Sequence, residues 1–134
     1  MQDLELAWET YEFHCASAIN KGLDLAKFIT TYNKLLDKDT SKFSKSEKRD
    51  FRFKIVNCLN KVIETTLVVV NDYKKQNASL NDLIEIYKYH SLHGVAVPVE
   101  REIPIRYLAE LINNNATLIE HLEAQKKELR NLLP

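Results

Sequence analysis

Only two of the 134 residues are glycine, Gly22 and Gly94. This scarcity limits both how the chain turns and what it binds. Glycine enters the left-handed backbone region freely, so each of the two is a natural place for a helix to stop. Loops that cradle phosphate need several glycines, because a Cβ keeps the backbone away from the ligand. A dinucleotide-binding glycine motif, a P-loop and a kinase glycine loop are therefore excluded.

Between these stops the apolar residues recur with helical spacing. Leu4, Trp8, Tyr11, Cys15, Ala18 and Gly22 form one stripe, which predicts a helix over about 3–21 ending at Gly22. Asp24 is a suitable cap for a second helix, about 25–36, with its face at Leu25, Phe28, Ile29, Tyr32, Leu35 and Leu36. Residues 37–44 are polar and read as a loop. Ser44 and Glu47 match a capping box, with Ser46 as a rival cap. A long central helix, about 46–75, follows. It carries two stripes, Phe51, Ile55, Cys58, Val62, Val69 and Val56, Leu59, Ile63, Leu67, Val70, so it is expected to be buried on two sides. Thr65–Val70 is rich in β-branched residues, but the helical period runs into it without a turn signal. Ser79 and Asp82 mark a fourth helix with its face at Leu80, Leu83, Ile84 and Tyr87, stopped by Gly94.

Residues 94–104 differ. Val95, Val97 and Val99 alternate, and Pro98 excludes a helix interior. This predicts an extended, apolar connection, with Pro104 in the first turn of the last helix. That helix, about 104–133, carries Leu108, Ile112, Asn115, Ile119, Leu122, Lys126, Leu129 and Leu133 in unbroken 4-3 spacing, a heptad seam with two polar members. Thirty residues span roughly 45 Å at the helical rise, against roughly 35 Å for a compact domain of this size. The helix is therefore expected either to break near Asn113–Asn115 or to project over residues 116–133. The expectation is an all-α, single-domain bundle of about five helices.

Lys plus Arg and Asp plus Glu number 19 each, so no global charge drives the chain to nucleic acid or to an anionic membrane. No uncharged run approaches the roughly 20 residues of a membrane span, and the N-terminus is acidic rather than signal-like. Cys15 and Cys58 lie on core stripes, which suits free thiols in a reducing compartment. The expected location is intracellular, cytoplasmic or nuclear.

No catalytic, cofactor-binding or metal-binding set emerges. His90 and His93 share a helix face, but a zinc site needs further ligands. The thiols are placed in the core, where they are inert. Glu100 and Glu102 are mixed with Arg101 and Arg106, as in a solvated loop. No Glu precedes a His by three residues, and no Arg precedes a His by four to six. These absences exclude the helical di-iron pattern and the Arg–His pairing of helical-bundle ribonucleases.

Two surfaces remain. Lys42, Lys45, Lys48, Arg49, Arg52 and Lys54 form the one basic patch, interleaved with Phe43, Phe51 and Phe53, a pattern that can hold phosphates and stack bases. The apolar features are Val95, Val97 and Val99 in the connection, and the seam of Ile112, Asn115, Ile119, Leu122, Leu129 and Leu133. A plain monomeric bundle requires neither, although both can also pack on the chain's own core, a reading that Leu111, Leu118 and Leu132 favour for the seam by broadening it beyond a strict heptad stripe. The sequence therefore points to a non-catalytic helical protein–protein interaction module: an adaptor, a scaffold or a subunit of a larger complex, with a coiled-coil element. Its expected partner is another protein chain, in a homo- or hetero-oligomer. The alternative is a nucleic-acid-associated helical protein acting through residues 42–54. No membrane partner and no small-molecule substrate are expected.

Overall fold

The computed structural model describes residues 3–134, and the fold is all-α with three long helices rather than five. They are α1 (Leu4–Leu36), α2 (Lys45–His93) and α3 (Ile105–Asn131), with one 3₁₀ turn at Val99–Arg101. α2 lies at the centre and packs against both α1 and α3, as its two apolar stripes predict. Its 49 residues give a rod of about 73 Å at 1.5 Å per residue. The molecule is thus elongated, and a compact-domain diameter was the wrong measure for α3.

Both predicted breaks are corrected. Gly22 lies inside α1, and the second helix is the continuation of the first. The stripe that reaches Gly22 in steps of four and three runs on through Leu25, Phe28, Tyr32 and Leu35, all buried or half-buried. A glycine in a helix interior costs about 1 kcal/mol relative to alanine, and this continuous inward face outweighs it. Likewise Ser79 does not start a helix. It is buried within α2, because Val69, Tyr73, Gln76, Leu80, Leu83 and Tyr87 keep the 4-3 spacing across the supposed gap.

The real ends carry the expected devices. The Asp3 side chain accepts a hydrogen bond from the Glu5 amide at 2.9 Å. Ser44 and Glu47 form a reciprocal capping box, with Ser44 rather than Ser46 as the cap. Between α1 and α2 the Asp39 carboxylate accepts from the Ser41 amide at 2.9 Å, a local turn that competes with helix. Gly94 closes α2 at φ 64°, in the left-handed region.

The core has two apolar clusters. One joins Leu4 and Ala7 of α1, Leu80, Leu83, Ile86 and Tyr87 of α2, and Leu108 of α3. The other joins Leu25 and Tyr32 to Leu59, Val62, Ile63 and Val69, with Leu122, Leu129 and Leu133 packed against it. α1 and α3 are therefore both antiparallel to α2. Between the clusters lies a polar layer. The Ser17 hydroxyl donates to the buried Asp72 carboxylate at 2.8 Å. Gln76 Nε2 donates to the His14 carbonyl at 3.4 Å. Asn115 Nδ2 donates to Gln76 Oε1 at 3.1 Å and to Asn77 Oδ1 at 3.0 Å. Asn77 Nδ2 in turn donates to the Ile112 carbonyl at 3.3 Å. Each amide here has a partner on another helix, so the layer sets how α1 and α3 align along α2.

Candidate functional site

The seam of α3 is occupied by its own chain. Leu108 is fully buried, and Ile112, Asn115, Ile119, Leu122, Lys126, Leu129 and Leu133 are half-buried. α3 neither breaks at Asn113–Asn115 nor departs from α2, since its last residues still pack on the second cluster. Asn115 keeps the register role expected of a polar seam residue, but within the molecule.

The connection 94–104 divides. Val97 packs on the first core cluster, while Val95 and Val99 stay 46% and 80% exposed, beside Leu92 at 81%. The loop forms one wall of an open cleft of about 500 Å³ lined by Tyr87, His90, Val95, Val97, Ile103 and Ile105, together with Glu102. His90 Nδ1 is buried there without a hydrogen-bond partner.

A polar clasp holds this loop down. Trp8 Nε1 donates to the Tyr87 hydroxyl at 3.0 Å, and that hydroxyl donates to the Arg101 carbonyl. The Arg101 side chain crosses to α1, where Nε donates to Glu5 Oε2 at 3.1 Å and Nη1 meets Glu12 at 3.4 Å. Its guanidinium also lies 5.1 Å from the Trp8 ring centroid, within cation–π range. Arg101 holds the Glu5 carboxyl below its ordinary pKa, chiefly by hydrogen bonding. Burial pushes the Tyr87 hydroxyl up and does the same to Tyr11, which also meets Cys15. Arg101 and Trp8 hold the loop; Trp8 lies on the stripe read from its spacing, but no motif or spacing marks Arg101. The only sequence signal is an Arg flanked by glutamates in an otherwise apolar loop.

At the other end Lys42, Lys45, Lys48, Arg49, Arg52 and Lys54 are all exposed, and among the described residues none forms an ion pair. Residues 34–54 hold eight basic against four acidic side chains, while residues 3–12 hold four acidic and no basic ones. The balanced total therefore conceals a charged axis. Lys48 and Arg52 line a cleft of about 310 Å³ with Lys38, Thr40 and Phe51. Phe43 and Phe51 pack edge to face at 5.7 Å, which leaves Phe53, 70% exposed, as the aromatic free to stack. Lys45, Lys48, Arg49 and Arg52 share one helix face, and Lys54 points away from it.

The thiols of Cys15 and Cys58 are free and half-buried, and burial raises the pKa of both. Such thiols stay protonated near neutral pH and are poor nucleophiles. His93 stacks on Tyr89 with ring centroids 4.2 Å apart. Among the described residues no group of three His, Cys, Asp or Glu side chains gathers as metal ligands, and no helix is long and apolar enough to cross a membrane.

The chain matches no family model, no curated protein and no solved structure.

One surface escaped the sequence reading. Leu6, Phe13 and Leu23 are 52%, 69% and 67% exposed, and Ile19 is 65% exposed. They lie along the outward face of α1. Splitting α1 at Gly22 separated Leu23 from the rest, so the pattern went unread, although the spacing was present.

Proposed function

We propose that the protein is a helical protein-interaction module, and that the loop end of the bundle, where residues 94–104 line an open cleft against α2, is its docking site for another chain. The observation that carries this reading is the open apolar cleft lined by Val95 and Val97, with Leu92 and Val99 exposed close to these residues in the chain. Recognition sites combine an apolar hollow with a few polar groups. Here Glu102 supplies one at the cleft, and the neighbouring Glu100 favours a partner with basic residues beside its apolar anchor. The test is capture from the native source with the tagged full-length chain, alongside Leu92→Asp and Val99→Asp. A protein recovered by the parent and lost with both variants, at unchanged helix content, supports the site. Equal recovery by parent and variants overturns it.

A second reading rests on the six unpaired cations of the opposite end. They would neutralise phosphates of a nucleic acid, and binding would then weaken steeply with salt. Charge reversal at Lys48, Arg49 and Arg52 is expected to abolish RNA or DNA binding. No binding by the parent at low salt removes this reading.

A further inference from the structure

We infer that the outward face of α1 pairs with the same face of a second copy of this chain, antiparallel and about a two-fold axis. Leu6, Glu9, Phe13, Ala16, Asn20, Leu23, Lys27 and Thr30 follow one another in unbroken steps of three and four. All are exposed, and all lie opposite the stripe that packs on α2. α1 thus carries two seams: one is filled by its own bundle, and the other is a heptad seam with nothing on it.

The occupant follows from the order of residues in the free seam. Its acidic member, Glu9, lies toward the N-terminus and its basic member, Lys27, toward the C-terminus. Among the described residues neither makes an ion pair. In a parallel pair Glu9 would face Glu9, and Lys27 would face Lys27. In an antiparallel pair centred between Ala16 and Asn20, Glu9 falls opposite Lys27 of the second copy. The same centre sets Phe13 against Leu23, Ala16 against Asn20 and Leu6 against Thr30. One axis position satisfies every layer, as an isologous interface requires. Ile19, on the flank of the seam, then meets Ile19 of the second copy at the axis. Ala16 lets the helices approach closely there. Each copy brings Phe13, Ile19 and Leu23 as large apolar anchors, a small set that fits a reversible dimer rather than an obligate one. The charged axis of the bundle acts in the same sense, because antiparallel pairing lays the acidic end of one copy beside the basic half of the other.

This inference uses residues distant from the 94–104 loop and stands or falls independently of the proposed docking site. Sedimentation equilibrium of the full chain over a wide concentration range tests it. The expected mass rises with concentration from 15.6 kDa toward twice that value. Phe13→Glu with Leu23→Glu is expected to hold the chain at the single-chain mass, with helix content and melting unchanged because both residues are exposed. Glu9→Lys is expected to weaken the dimer several-fold, and adding Lys27→Glu to restore it. Ile19→Cys is expected to give a disulfide-linked dimer on mild oxidation, while Leu92→Cys and the parent do not. A single-chain mass at every concentration overturns the inference. So does a dimer that survives Phe13→Glu with Leu23→Glu. A Glu9→Lys defect that Lys27→Glu deepens overturns the antiparallel arrangement.

Discussion

The two ends of the bundle solve the same packing problem unequally. At the loop end three helices meet, and Leu80, Leu83 and Leu108 are sealed completely. The loop above them is clasped by Arg101 and Tyr87 to α1. At the hairpin end α3 stops beside Val62, across a cleft lined by Tyr32, Leu129 and Leu132, and the α1–α2 hairpin continues alone. Beside that cleft Leu25 and Tyr32 keep 9% of their surface, while Leu59 and Val62 of the same cluster keep 2% and 1%. Full sealing of large side chains is thus found at Leu80, Leu83 and Leu108, while the hairpin beyond α3 is left polar, basic and open.

Leu83→Ala breaks this contrast most strongly. Emptying a sealed site costs about 2–5 kcal/mol, and urea denaturation should find that loss well above the one from Leu129→Ala, whose side chain is only half-buried. Asn115→Ala comes next. It leaves Gln76 and Asn77 without their shared donor in the middle layer, a cost of about 1–3 kcal/mol by the same measurement. Equal effects of Leu83→Ala and Leu129→Ala would show that the two ends are equally well packed.

The two glycines give a smaller and sharper test, because their substitutions should differ in sign. A Cβ at Gly22 meets nothing within 4 Å, and the position is helical, so Gly22→Ala should raise stability by about 0.5–1 kcal/mol. Gly94 sits at φ 64°, where Ala costs about 1–2 kcal/mol. Had Gly22 ended a helix in that conformation, both substitutions would destabilise. Thermal melts of the two variants decide between these cases.

The clasp predicts pH effects that arise at the loop end. Burial raises the pKa of Tyr87 above the ordinary 10.0. The unfolded chain therefore ionises first as pH rises, and stability is lost through and above that value. Glu5 works in the opposite sense. Its folded pKa is lowered, so its contribution is present above the ordinary carboxylate range and fades as pH falls through the lowered value. The smallest expected effect is that of Arg101→Ala on stability. It should shrink further in high salt, as exposed ion pairs do, and hydrogen exchange should show the loosening in residues 94–104 before it appears elsewhere.

Helix faces were largely legible in the sequence, and so were the ends at Ser44, Gly94 and Pro104; what misled were the interior positions Gly22 and Ser79. The residues placed on the first stripe and on the α3 seam turned inward, because a core forces the 3.6-residue period onto the chain, whereas Ile29 and Leu36, placed on the face of residues 25–36, are exposed. The breaks at Gly22 and Ser79 were misread for one reason. Stop and start signals are local and weak, about 1 kcal/mol each, whereas a seam continuing through them gathers burial from many residues. The all-α class survives this error and the helix count does not. The basic patch was visible as a run of residues. The cleft at the loop end was not, since Tyr87, His90, Val97 and Ile105 reach it from different parts of the chain.

The length of α2 has an electrical consequence. The acidic residues of 3–12 and the basic residues of 34–54 lie near opposite ends of a rod about 73 Å long at the helical rise. In physiological salt a charge is felt over only about 8 Å. The two ends are then separate poles, neither cancelling the other, although the chain as a whole has a formal charge of zero. A molecule of this kind drifts little in a uniform field and yet turns in one. Beside a charged surface it would stand with a chosen end forward, so net neutrality here sets an orientation rather than an indifference to charge.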